Sequence, residues 1–111
     1  MKGTNIGEFQ EIVLLAVGIL YDNAYGLLIK DEIEKQTERK VTLSTVHAAL
    51  NRLEDKGFLT SRLGGATKER GGRPKRLFKV TAYGKRALEE CRTIRNGMWD
   101  LVPKVAWDNV T

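Results

Sequence analysis

The stretch from Thr42 to Gly57, TLSTVHAALNRLEDKG, admits one secondary structure. Val46, Ala49, Leu50 and Leu53 recur at i, i+3, i+4 and i+7, which places them on one stripe of an α-helix. Thr42 stands where an N-cap is needed, and Gly57 follows where a helix from Leu43 to Lys56 must stop. At about 100° per residue, the face opposite the stripe carries Ser44, Ala48 and Asn51, flanked by Thr45, His47 and Arg52. One side of this helix is made for burial, and the other is small and polar.

Two further helical patterns precede it. From Ile6 to Tyr21, the residues Phe9, Ile12, Val13, Ala16, Val17 and Leu20 lie at spacings of three and four, and the apolar residues between them predict burial on more than one side. Asp22-Asn23 supplies the turn chemistry that ends it. From Tyr25 to Thr37, Leu28 or Ile29 and Ile33 face inward, while Lys30, Asp31, Glu32, Glu34 and Lys35 face water.

After Gly57 the period changes. Phe58 to Leu63 and Arg76 to Thr81 are short alternating runs on either side of a glycine-rich polar stretch, the pattern of a hairpin with a long tip. Phe78 and Val80 share one face of the second strand and Lys79 the other. Thr81 caps a last helix beginning at Ala82, in which Ala87, Cys91, Ile94, Met98 and Leu101 recur at alternating fours and threes. That stripe is longer than one small core needs, and it is the expected dimer interface. Pro103 ends or kinks the helix near Val102, and the tail beyond it carries Trp107 without a readable pattern. The expected fold is mainly α with a small β-hairpin: a winged helix-turn-helix DNA-binding domain over 1–81, then a C-terminal dimerisation helix and tail over 82–111.

Charge location suggests what the hairpin is for. The chain carries +5 overall, yet nine Lys/Arg and a single acid, Glu69, lie between Arg62 and Arg86; that segment sums to +8 and leaves 5 − 8 = −3 for the rest. Such concentration points to a polyanionic partner. A helix with a small polar outer face fits the roughly 12 Å major groove of double-stranded DNA. Gly64-Gly65 and Gly71-Gly72 let the hairpin tip approach a sugar-phosphate backbone closely. The expected DNA-binding set is Tyr25, Thr42, Ser44, Thr45, His47, Ala48, Asn51 and Arg52, with Lys68, Arg70, Arg73, Lys75 and Arg76 replacing condensed counterions. Asn51 is the residue best suited to a bidentate adenine contact. Tyr25 either meets a phosphate or packs at a helix start, His47 either contacts DNA, senses pH or is merely tolerated at a helix edge, and Cys91 reads as a packed thiol.

Catalysis has little footing. The glycines of GGATKERGG match neither GxxxxGK followed by Ser or Thr nor GxGxxG, and Glu89 and Glu90, adjacent on a helix, point apart. One cysteine and one histidine do not make a zinc site of ordinary ligand count. Neither a catalytic residue, a metal nor a cofactor is expected. The apolar run Ile12 to Leu20 falls short of the roughly 20 residues of a membrane-spanning helix. No secretory leader pattern opens the chain, so a cytoplasmic protein without a membrane partner is expected.

Taken in order, GEFQEIVLLAVGIL, AYGLLIKDEIE, VTLSTVHAALNRLEDKGFL and RLGGATKERGGRPKRLFKVTAYG resemble the PadR family of transcriptional regulators, in its short type with a single C-terminal dimerisation helix. The resemblance runs from about Gly7 to Leu88. It implies a homodimer on a near-palindromic operator, usually a repressor released by a small ligand or stress signal. Family members commonly carry Tyr where this chain has His47, and an aromatic pair where it has Leu77-Phe78. In some members planar hydrophobic compounds bind at the dimer interface against an aromatic of the last helix, which implies a small hydrophobic effector near Met98 and Trp99. A different class of function, a winged-helix protein-interaction module docking on an acidic partner protein, uses the same basic hairpin in another way.

Overall fold

The computed structural model describes residues 6–66 and 74–110. Three helices, α1 (Glu8–Ile19), α2 (Gly26–Thr37) and α3 (Leu43–Asp55), are followed by strands β1 (Leu59–Ala66) and β2 (Pro74–Val80), the long helix α4 (Ala82–Leu101) and a short α5 (Lys104–Asp108). Each expected helix is present within two residues of its expected ends. The strands run further toward the hairpin tip than the alternation suggested, with Ala66 paired to Pro74 after an irregularity beyond Leu63. The tail, unreadable as sequence, holds α5.

The three N-terminal helices enclose one core. Val13, Leu14, Val17, Ile29, Ile33, Val46, Leu50 and Leu53 are all withdrawn from solvent, each contributing about 1.5–3 kcal/mol of transfer free energy. Ile29, not Leu28, is the fully buried member of the α2 pair. Leu14 fills a second buried side of α1, as its apolar excess predicted, whereas Leu15 and Ile19 stay exposed.

Local signals set the connections. The Thr42 hydroxyl accepts from Thr45 N–H at 3.1 Å and caps α3, and Thr81 does the same for α4 through Gly84 N–H at 3.0 Å. Gly57 closes α3 with φ +82°, a conformation nearly free of cost only to glycine. The chain then returns as β1 and β2, antiparallel, with Leu59 opposite Val80 and Ser61 opposite Phe78. Phe78 N–H donates to the Ala24 carbonyl at 2.8 Å, tying the hairpin to the α1–α2 connection.

α4 belongs to two environments. Its first turns join the core: Ala87 is fully buried, Tyr83 stacks on Phe58 with centroids 4.9 Å apart, and Gly84 is buried against the Phe58 carbonyl. From Arg92 onward every residue of α4 is exposed. A helix of that length spans about 30 Å, which accounts for a radius of gyration of 16.7 Å and a long axis of 58 Å, against about 13 Å for a compact chain of this size.

Candidate nucleic-acid interface

The polar face of α3 lies open as its spacing predicted. Ser44, Thr45, Ala48, Asn51 and Arg52 are exposed, while the opposite stripe is buried. Thr42 is exposed too, but its hydroxyl is engaged by the Thr45 N–H and by the Ser44 and Thr45 hydroxyls, at 3.1 and 2.8 Å. The turn that leads into α3 is pinned by Glu34, whose carboxylate accepts from Val41 N–H at 3.0 Å and from Lys30 Nζ at 3.2 Å. Those two bonds, the backbone one foremost, hold the Glu34 carboxyl below its ordinary range.

His47 looks elsewhere. A methyl group placed on Gly26 would come within 2.7 Å of His47 Nε2, so the imidazole packs directly on the first turn of α2 and is half-buried there. A Cβ at position 26 would have to displace the imidazole. Tyr25, also half-buried, lies beneath Lys75, whose ammonium is 4.6 Å from the ring centroid. The start of α2 thus touches α3 through His47 and the tip end of β2 through Lys75.

Arg76, the next residue along β2, reaches α3 directly. Its Nη1 donates to Asn51 Oδ1 at 3.1 Å, its Nε donates to Ser61 Oγ at 3.1 Å, and its Nη2 is paired with Glu54; Ser61 Oγ in turn donates to Glu54 Oε2 at 2.7 Å. Neither Glu54 nor Ser61 was among the sequence-derived candidates. Their signals were present but weak: Glu54 is three residues after Asn51 on one helix face, and Ser61 pairs with Phe78 only once the hairpin register is known. Lys68, Arg70 and Arg73 lie outside the described residues.

On the last helix, Ile94, Met98 and Leu101 are 53, 64 and 82% exposed, and Cys91 is half-buried. Ala87, placed in the same stripe by its spacing, is fully buried in the chain's own core and has no surface to offer a second copy. Met98 and Trp99 line one hollow with Arg95, Val102 and Trp107, in which the Trp99 and Trp107 rings lie 5.3 Å apart. Among the described residues no group of His, Cys, Asp and Glu could hold a metal ion, and no helix is long and apolar enough to cross a membrane.

A three-helix body that presents the outer face of its third helix beside an antiparallel hairpin is a winged helix-turn-helix. The chain belongs to the transcriptional regulator PadR-like family, whose model matches residues 14–90; it is a regulator of transcription and not an enzyme. Among solved structures it is similar to a PadR family transcriptional regulator from Eggerthella lenta DSM 2243, at 23% identity and a TM-score of 0.64 over 84% of this chain and 80% of that one. It is similar also to a PadR family transcription regulator from Clostridium difficile R20291, at 27% identity and a TM-score of 0.58 over 83% of this chain and 98% of that one. The Aeropyrum pernix ORC1 protein, solved in complex with DNA, shares the fold at 22% identity and a TM-score of 0.62, over 84% of this chain and 26% of that one. No curated protein matches the sequence.

Proposed function

We propose that the protein is a repressor that binds a near-palindromic operator as a homodimer and lets go on binding a small hydrophobic ligand or on a stress signal. The observation that carries this reading is the exposed face of α3, Ser44, Thr45, Ala48, Asn51 and Arg52, joined to β2 by the Asn51–Arg76 hydrogen bond, with Lys75 of the same strand lying over the Tyr25 ring. The helix face enters the major groove, and the hairpin cations, Lys68, Arg70 and Arg73 among them, straddle the adjoining phosphates. In this arrangement Tyr25 and Thr42 border the backbone contact, and His47 acts by seating α3 on α2.

Residues 1–81, with the first turns of α4, form the DNA-binding unit, and the rest of the chain pairs the two copies through Cys91, Ile94, Met98 and Leu101. Two-fold pairing sets the two α3 helices for half-sites about 34–36 Å apart. The hollow at Met98 and Trp99 receives the effector. The protein works in the cytoplasm, where the chromosome is.

The test is binding to duplex DNA carrying the protein's own promoter, titrated with salt. The logarithm of affinity should fall against the logarithm of salt by about 0.9 for each phosphate neutralised. An Arg73→Gln/Lys75→Gln variant should bind with a shallower slope, and an unchanged slope removes the hairpin from the interface.

A further inference from the structure

We infer that Asn51 meets the operator as a hydrogen-bond donor and reads the acceptor edge of a guanine, with Arg76 as the positioning residue that turns its amide outward; this rests on the DNA reading above. A guanidinium only donates, so the atom that Asn51 presents to Arg76 Nη1, 3.1 Å away, is its carbonyl Oδ1. The carboxamide is planar, and Nδ2 with its two N–H groups is therefore directed away from the hairpin. Among the described residues no protein group is hydrogen-bonded to Nδ2.

The partner chemistry follows from that orientation. A bidentate adenine contact needs one donor and one acceptor from the amide, but the acceptor here already faces a cation. Guanine presents N7 and O6 in the major groove, both acceptors, which suits an amide offering only its N–H groups. The contact that the residue type alone favours, with adenine, is displaced by the neighbour that the fold supplies.

The same geometry removes Arg76 from the phosphate contacts. Its guanidinium is held on three sides, by Asn51, Ser61 and Glu54, and lies 4.8 Å from the Phe78 ring centroid. With Glu54 it forms a pair of no net charge, which displaces no counterion from DNA. Lys75 has no such carboxylate partner among the described residues.

Selection of bound duplexes from a randomised half-site library tests this directly. The wild type should select guanine at one position of each half-site. Asn51→Ala should relax that position by about 5- to 150-fold and leave the others unchanged. A Glu54→Gln/Arg76→Gln double variant, equal to the wild type in net charge, should keep the salt slope and shift the same position toward adenine. A slope shallower by about 0.9 would place Arg76 on a phosphate, and an unchanged base preference would detach Asn51 from it; either result overturns the inference. Should the double variant fail to fold, Asn51→Asp decides: a side chain that only accepts should exchange guanine for cytosine, and retained guanine selection overturns the inference equally. If the wild type binds no duplex at all, the DNA reading itself falls.

Discussion

Phe58, at the end of the turn after α3, and Tyr83, in the first turn of α4, stack with ring centroids 4.9 Å apart and planes inclined by 25°. The Thr81 N–H donates to the Phe58 carbonyl at 3.1 Å beside them, so the long helix starts from a fixed point on the DNA-binding body.

The joint leaves no room at Gly84. A Cβ there would collide with the Phe58 carbonyl and press on Val80. Alanine exceeds glycine in helix propensity by about 1 kcal/mol, yet Gly84→Ala should destabilise by about 1–3 kcal/mol. Gly18, in α1, has nothing within 4 Å of such a methyl, and Gly18→Ala should stabilise by up to about 1 kcal/mol. Denaturant unfolding of both variants gives the two signs.

Leu50 is fully buried at the centre of the α3 stripe. Leu50→Ala should cost about 2–5 kcal/mol, and Thr42→Ala, which removes the cap of the same helix, about 1 kcal/mol. Thermal melts followed by circular dichroism rank them; equal losses would contradict the burial.

Glu34 makes the turn into α3 sensitive to acid. Its carboxyl is lowered from the ordinary value of 4.5, first by Val41 N–H and then by Lys30. A group whose folded value is depressed contributes stability above the unfolded value and loses it as pH falls through the folded one. The stability difference between wild type and Glu34→Gln should therefore shrink as pH falls below the ordinary carboxylate value of 4.5. Urea unfolding across that range reads it, and a difference independent of pH would detach the carboxylate from the turn.

Self-association should depend on the solvent-facing part of α4. Ile94→Glu combined with Met98→Glu places two charges on side chains that are 53 and 64% exposed in one chain, so the monomer fold should survive. Sedimentation should then report monomers, and operator binding should weaken. A dimer that persists would locate the interface on another surface.

Much of this architecture was legible because its signals are local. The stripe from Val46 to Leu53, the caps at Thr42 and Thr81 and the stop at Gly57 each depend on residues within about two turns of one another, and all are found in place. The open face of α3 is the complement of its buried stripe, and so it too was readable. Ala87 shows the limit. Its spacing puts it in the apolar stripe of α4, but spacing cannot tell which stretch of a continuous stripe the chain itself will cover.

Residue types and their order thus decide the helices, the hairpin, the concentration of positive charge and the polar face that α3 turns outward. Folding decides which of those polar groups remain at liberty. Asn51 and Arg76 stand 25 residues apart, on elements whose mutual approach depends on the turn at Gly57 and the strand register, and no periodicity records that they touch. A hydrogen bond claims one end of an amide only when two backbones have been brought together, and that is a property of packing rather than of composition or spacing.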